Sequence, residues 1–199
     1  MKLPLAYYRQ PDVVAIARDL VGKYLFSRID GVLTGGRIVE TEAYAHIDDQ
    51  ACHSHLGRFT KRTRVMYEAG GVAYVYLIYG RYALFNIITN VAGKADAVLI
   101  RGLEPTEGLP EMQLRRGLSQ PARNLTAGPG LLTQALGIGV PHYGTDLTGN
   151  LIWLEDRQEP VAAADIVASP RVGIDYAGAD AALPWRFRLK GNPWTSPAK

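Results

Sequence analysis

Cysteine is nearly absent from this chain of 199 residues. Cys52 stands alone, which excludes an internal disulfide and any zinc knuckle built on cysteine pairs. Long apolar runs are missing too: none approaches the ~18 residues that mark a membrane-spanning helix. Met1–Tyr8 has neither the long apolar centre nor the small-residue cleavage site of a signal peptide. The expectation is a soluble, cytoplasmic protein that is not secreted. Several catalytic signatures are also lacking. There is no G-x-S-x-G elbow for a serine nucleophile, and no Lys–Ser/Thr follows Gly128–Pro129–Gly130 to make a P-loop. Those glycines are expected to start a helix whose free N–H groups suit one phosphate.

Charge of one sign is not scarce, only unevenly placed. The net charge is +3 and the pI about 9.0, which by itself says little about partners. Arg58, Lys61, Arg62 and Arg64 fall together, Arg115, Arg116 and Arg123 form a second group, and Arg186, Arg188 and Lys190 a third. Each group alone is expected to be a solvated face. Three of them with little acid between are equally consistent with a phosphate-binding surface. In the third group, alternation with Phe187 and Leu189 puts the cations on one strand face.

The hydrophobic pattern predicts α+β architecture in a single domain over residues 1–199, with its core at about 12–196. It is expected to hold a curved antiparallel or mixed sheet, surrounding helices and a protruding hairpin. Pro11 to Leu20 reads as a helix with Pro11 at its first position. Residues 23–28 and 31–44 read as a hairpin turning at Asp30–Gly31. A polar loop follows at 45–60, long enough to suggest function, and Thr60 is placed to cap a short helix through Tyr67. Val72–Tyr79 and Tyr82–Thr89 pair across a turn at Gly80–Arg81. Ala95–Leu103 is a further strand, and Pro105 is expected to open a helix to about Arg116. A loop spans 116–126, a helix covers Leu131–Leu136, and short strands lie near 151–155, 166–168 and 186–189.

Chemistry concentrates in Arg37–Ile38–Val39–Glu40–Thr41–Glu42–Ala43–Tyr44 and the loop after it. Alternation puts Glu40, Glu42 and Tyr44 on one strand face. Such a face is often merely solvated. It also suits chemistry on a flat substrate, with the carboxylate activating water and the ring holding the base. His46, His53 and His55, with Asp48 and Asp49, are metal-ligand types. However, the zinc-helix pattern is absent, as is the C-x-x-C that accompanies H-x-E in deaminases, so hydrogen bonding is their expected role. Cys52 is expected to be a small buried residue. Tyr74, Tyr76, Tyr79 and Tyr82 crowd nine residues. Strand propensity accounts for Tyr74, but Tyr79 at a hairpin tip faces solvent and suits a wedge between base pairs.

The ordered set V-E-T-E-A-Y, A-C-H-S, Y-V-Y-L-I-Y-G-R-Y-A-L-F-N, V-L-I-R, L-E-P-T-E-G-L, A-G-P-G-L-L, R-V-G-I-D-Y-A-G and G-N-P-W resembles the alkyladenine (3-methyladenine) DNA glycosylase family. The likeness covers about residues 12–196. It implies a monofunctional enzyme that flips alkylated or deaminated purines from double-stranded DNA, approached from the minor-groove side. It would then hydrolyse the N-glycosidic bond and leave an abasic site for base excision repair. Candidate lesions are 3-methyladenine, 7-methylguanine, hypoxanthine and ethenoadenine.

By the same resemblance, Glu42 is the general base, with Arg101 and the His53 backbone around the water and target nucleotide. Tyr44, Tyr76 and His53 line the base pocket, and Asn86 rejects guanine through its exocyclic amine. Tyr79 intercalates. Arg81, Tyr82, Arg58, Lys61 and Arg64 are candidate DNA contacts. No metal or cofactor, no membrane, a monomer and, in a bacterium, association with the nucleoid are expected. No lysine matches an amine nucleophile, so lyase activity is not expected. Mammalian members carry methionine at the Arg81 position, so handling of the opposite strand is open; Leu56 also departs from their glycine-rich loop. Two rivals share parts of this pattern. A stacking module without catalysis would not need Glu42, and a free-nucleoside hydrolase would not need Tyr79 or the outlying arginines.

Overall fold

The computed structural model describes residues 1–46, 48–120 and 122–197. Ile47 and Pro121, in the loops expected at 45–60 and 116–126, lie outside the described residues. Among the described residues, no helix is long and apolar enough to cross a membrane.

Short helices α1 (Leu5–Tyr8) and α2 (Val13–Asp19) open the chain. Asp12, not Pro11, caps α2: its carboxylate accepts from the Ala15 N–H at 2.9 Å. A side-chain acceptor satisfies a free N–H of the first turn, which Pro11 cannot do. Val13, Ile16 and Ala17 face the core, each larger side chain gaining roughly 1.5–3 kcal/mol from burial.

Strands β1 (Tyr24–Ile29) and β2 (Val32–Tyr44) form the expected hairpin. Asp30 and Gly31 both have positive φ (54° and 79°), the geometry for which Asp-Gly turns are favoured. β2 is the spine of the sheet. One of its edges runs along β5 (Asp96–Glu107). Its other edge is shared, first by β1 and then by β8 (Arg186–Leu189), which meets Glu40–Glu42. Beyond β5 lie β4 (Tyr82–Thr89) and β3 (Ala73–Ile78); β6 (Ile152–Glu155) closes the β1 side and β7 (Ile166–Ser169) pairs with β8. Every pairing among these strands is antiparallel, so the sheet is not mixed.

Two boundaries differ from expectation. β5 runs on to Glu107, with Pro105 opposite Gly36 at a register shift. Pro105 therefore sits at an irregularity, where its missing N–H costs no regular ladder bond. The helix begins later, as α3 (Leu109–Arg116). Thr60 caps a turn through its hydroxyl, which accepts from Thr63 N–H at 3.2 Å. The helical piece there is only a 3-10 turn, Arg64–Tyr67.

Helix α4 (Pro129–Leu136) packs Leu132, Ala135 and Leu136 on the sheet and ends at Gly137. Gly130 permits its approach to β4, since a Cβ there would meet the Tyr82 Cβ at 2.9 Å. The main core gathers Leu20, Leu25, Ile38, Phe85, Ile100 and Leu136. A second cluster of Cys52, Val65, Met66, Tyr74 and Ile88 supports the 52–67 segment.

In two of the three basic groups Arg186, Arg115 and Arg116 are structural, while Arg123 and Lys190 are exposed. Arg186 is 2% exposed and donates to Glu40 at 2.6 Å. Arg115 is paired with Glu111 and also donates to the Ala135 and Ile29 carbonyls. Arg116 caps the 124–125 backbone through the Asn124 and Leu125 carbonyls. Arg186 is buried and Arg115 and Arg116 are half-buried, so none of these three is the fully solvated cation its sequence context suggested. The group at Arg58, Lys61, Arg62 and Arg64 is exposed.

Candidate active site

The C-terminal half of β2 is buried on both sides. Thr41 points its hydroxyl at the Ala17 carbonyl of α2, 2.6 Å away. Glu40 and Glu42 are also wholly buried, so their face is not solvated. The 171–196 region covers them: Val172, Arg186 and Ser196 all supply donors. Hidden carboxylates demand such partners, because an ion stripped of water is unstable without them.

Glu40 receives four hydrogen bonds. Its Oε1 accepts from Arg101 Nε at 3.0 Å, Arg186 Nε at 2.6 Å and Ser196 Oγ at 2.8 Å, while Oε2 accepts from Ser196 N–H. Among the described residues Glu42 receives three. Oε2 accepts from Tyr44 Oη at 2.8 Å and Arg101 Nη1 at 3.3 Å; Oε1 accepts from Val172 N–H alone, at 2.7 Å. A carboxylate offers about four acceptor positions; among the described residues Glu40 receives four donors, three of them crowded on Oε1 and two of them guanidinium groups, whereas Glu42 receives three and keeps a position open on Oε1. Burial raises the Glu42 pKa above the ordinary carboxylate range, opposed but not cancelled by Arg101, Val172 N–H and Tyr44. The Arg101 charge favours ionisation, yet desolvation outweighs it.

Tyr44, Arg101 and Val172, the three partners of Glu42, all line a cleft of about 860 Å³. Glu42 itself lies just behind that surface. Tyr76 and Tyr74 come from β3 on the same strand face, their rings 5.1 Å apart and tilted by 33°. Tyr74 is the deeper of the two, and Tyr76 stands nearer the opening. His53 meets Tyr76 edge-on at 4.8 Å. Asn86, on β4 opposite Tyr74, is buried and donates to the Tyr74 carbonyl at 3.1 Å. All of these line the cleft, as does Tyr79 at its rim.

His53 is held neutral. Burial, then the charges of Arg62 and Arg58, lower its pKa to about 4. Arg62 Nη2 lies 3.2 Å from Nε2, and a guanidinium can only donate. The same Nη2 is 3.4 Å from Nδ1, and Nδ1 shares a hydrogen bond of 2.8 Å with Tyr74 Oη, so the neutral ring is held between Arg62 and Tyr74. His46 accepts from Ala95 N–H, and Asp49 is clamped by Arg171 at 2.6 and 2.8 Å. These members of the metal-ligand list are thus engaged in holding the loop.

At the hairpin tip, Tyr79 and Gly80 both have positive φ (53° and 63°), and the Arg81 N–H donates to the Ile78 carbonyl at 3.1 Å. The turn is therefore centred one residue earlier than expected. Tyr79 is 89% exposed. Arg81 folds back over the Tyr82 ring at 5.3 Å. A bulky aromatic in the left-handed region costs roughly 1–3 kcal/mol, a strain that clusters at functional sites.

Residues 6–193 match the family model for methylpurine-DNA glycosylase. The chain belongs to that family. A Bacillus cytotoxicus protein described as "putative 3-methyladenine DNA glycosylase" is 44% identical over 204 residues, covering 98% of this chain and 100% of that one. A Carboxydothermus hydrogenoformans protein of the same description is 46% identical over 196 residues, covering 98% and 99%. Membership of the methylpurine-DNA glycosylase family makes this chain a hydrolase of N-glycosyl bonds in DNA, acting in repair of alkylation damage.

In this glycosylase the structure gathers Glu42, Tyr44, His53, Tyr76, Asn86 and Arg101 around one cleft. Tyr79 sits at the rim with Arg81 and Tyr82 beside it, while Arg58, Lys61 and Arg64 are exposed on the neighbouring loop. Three participants were missed. Arg171 stacks its guanidinium 4.8 Å over the Tyr44 ring while clamped to Asp49. Arg62 lies 4.5 Å over the Tyr76 ring. Val172 supplies a backbone donor to Glu42. Arg171 and Val172 lie 129 and 130 positions beyond Glu42 in the chain, beyond the reach of strand periodicity; their signal was the motif R-V-G-I-D-Y-A-G, which they open.

Proposed function

We propose that this glycosylase extrudes alkylated or deaminated purines from duplex DNA into the cleft between Tyr44 and the His53–Tyr76 wall. Its candidate lesions are 3-methyladenine, 7-methylguanine, hypoxanthine and ethenoadenine. The observation that carries the reading is the open acceptor position of Glu42, directly behind a tyrosine-walled cleft whose rim holds the strained, exposed Tyr79. In this account the duplex is met from the minor-groove side. Tyr79 fills the space left by the base while Arg58, Lys61, Arg64, Arg81 and Tyr82 hold the strands. The enzyme acts as a monomer.

Water enters with the nucleotide and takes the free position on Glu42 Oε1. As the C1′–N bond breaks, its electron pair leaves with the purine, the water oxygen bonds to C1′, and the displaced proton passes to Glu42. A purine alkylated at N3 or N7 is cationic before cleavage and neutral after it, which lowers the barrier. Its charge also favours the tyrosine faces. Arg101 holds the carboxylate in place and keeps it ionised enough to act. Asn86, fixed by its bond to the Tyr74 carbonyl, disfavours guanine by crowding its exocyclic amine. Extrusion costs least for damaged or mispaired bases, which adds selectivity before chemistry begins.

The test is single-turnover base release from duplexes bearing 7-methylguanine, hypoxanthine or ethenoadenine, with EDTA present. Release that survives EDTA and disappears in Glu42→Gln is the expected result. Tight binding with no release from any duplex would point instead to a stacking module without catalysis.

A further inference from the structure

Five residues other than glycine have positive φ among the described residues: Asp30, Leu56, Tyr79, Asn90 and Gln158. Asp30 sits in an Asp-Gly turn, where Asp is tolerated. Asn90 secures its own conformation by accepting from the Val91 N–H at 2.8 Å, and Gln158 N–H is bound by Asp156. Leu56 and Tyr79 are different: large, without a polar group able to bond the local backbone in this way, and on the outside. Leu56 has φ 57° and is 82% exposed; Tyr79 has φ 53° and is 89% exposed. Each is followed by a glycine that also has positive φ, Gly57 at 73° and Gly80 at 63°. The same local construction presents an apolar side chain to solvent twice.

The Leu56 loop is anchored on both sides, so this exposure is built in. Ser54 is fully buried and its hydroxyl reaches the His46 and Ala95 carbonyls at 3.2 and 3.4 Å. The Gly57 and Arg58 N–H groups both donate to the Ser54 carbonyl, at 2.9 and 3.2 Å. The Arg58 carbonyl accepts from Thr63 Oγ1 at 3.0 Å and Tyr67 Oη at 3.1 Å. A leucine held outward at the cost of backbone strain needs a reason outside the free protein, since glycine would fit the same geometry with less strain.

Its surroundings identify the partner. His53 lines the base cleft, and three residues of chain reach at most about 11 Å, so Leu56 stands near the rim. Arg58, Lys61, Arg62 and Arg64 follow it directly, all exposed. An apolar tip set among cations suits a duplex whose phosphates are gripped while a base step or sugar edge is pressed apart.

We propose that Leu56 is a second apolar contact to the duplex, on the His53 side of the cleft as Tyr79 is on the hairpin side. This rests on the DNA-extrusion reading above. Leu56 would bear on DNA opened at the lesion more than on intact duplex, adding to preference for the gapped site and not to general affinity.

The test uses a duplex with one tetrahydrofuran abasic analogue against an undamaged duplex, so that no lesion preference enters. Wild type, Leu56→Gly, Leu56→Asn, Tyr79→Ser and Arg58→Ala are titrated across a range of salt. Glycine and asparagine both accept the left-handed conformation, so the thermal midpoint should hold or rise. Expected is a loss of about 3- to 10-fold in preference for the abasic duplex in both Leu56 variants, as in Tyr79→Ser, with the salt slope unchanged. Arg58→Ala should instead weaken both duplexes and reduce the salt slope by about one. Leu56 variants that keep wild-type preference while Tyr79→Ser loses it would overturn the proposal. So would a loss that appears equally on undamaged DNA. If wild type itself shows no preference, the wedge reading of Tyr79 fails and this inference falls with it.

Discussion

Glu40 and Glu42 lie two residues apart on one strand, both wholly buried, both touching Arg101. They differ in what completes their coordination. Glu40 has a second guanidinium, Arg186, and both donors of Ser196; Glu42 has a tyrosine hydroxyl, one backbone N–H and an open acceptor position. Residue type and strand periodicity treat the two alike. Hydrogen-bond accounting separates a carboxylate that holds the C-terminal region in place from one that retains capacity for a substrate water.

Substitution should divide them just as clearly. Glu42→Gln is expected to lower single-turnover excision by ~1,000-fold, within the range for a general base. Binding to lesion DNA, measured by anisotropy, should change only a few-fold; excision near the wild-type rate would remove Glu42 as the base. Glu40→Gln leaves Arg101 and Arg186 undercompensated in the interior. It should cost about 3–5 kcal/mol in denaturant unfolding, and an unchanged midpoint would undo the structural assignment. Tyr79→Ser, remote from both, should weaken lesion recognition about tenfold without lowering the thermal midpoint, because it relieves a strained aromatic. Intact flipping in that variant would remove the wedge.

The smallest effect is in pH. Glu42 has its pKa raised on folding, so the stability it contributes is full below the ordinary carboxyl range. That contribution is lost as pH rises through the folded value. As pH rises from the ordinary carboxyl value of about 4, the thermal midpoint of Glu42→Gln should therefore gain on wild type. The wild-type rate should climb as Glu42 ionises. His53, its pKa lowered to about 4, should add no titration near neutrality. A Glu42→Gln midpoint that falls relative to wild type as pH rises would contradict the assignment.

Local pattern made much of the fold legible. The Asp30–Gly31 turn, the β3–β4 hairpin and the β8 limits follow from alternation and turn chemistry. Pro105 misled because a proline is admitted at a register shift, and Pro11 because a capping carboxylate stood next to it. The cationic groups were the least legible. Arg186 and Arg58 look equivalent in sequence, yet one is ion-paired beneath the C-terminal segment and the other is on the surface. Burial of an arginine depends on which distant carboxylate folds against it, and Glu40 lies 146 positions away. For the same reason Arg171, though it opens the R-V-G-I-D-Y-A-G motif, could not be placed against Tyr44 from the sequence.

The most direct test compares Glu42→Gln and Glu40→Gln in single-turnover release of 7-methylguanine from duplex DNA, normalised to the folded fraction of each protein. The account predicts that release disappears in folded Glu42→Gln and persists, within about tenfold, in whatever Glu40→Gln remains folded. Loss of chemistry in well-folded Glu40→Gln, with activity retained in Glu42→Gln, would reverse the roles of the two carboxylates.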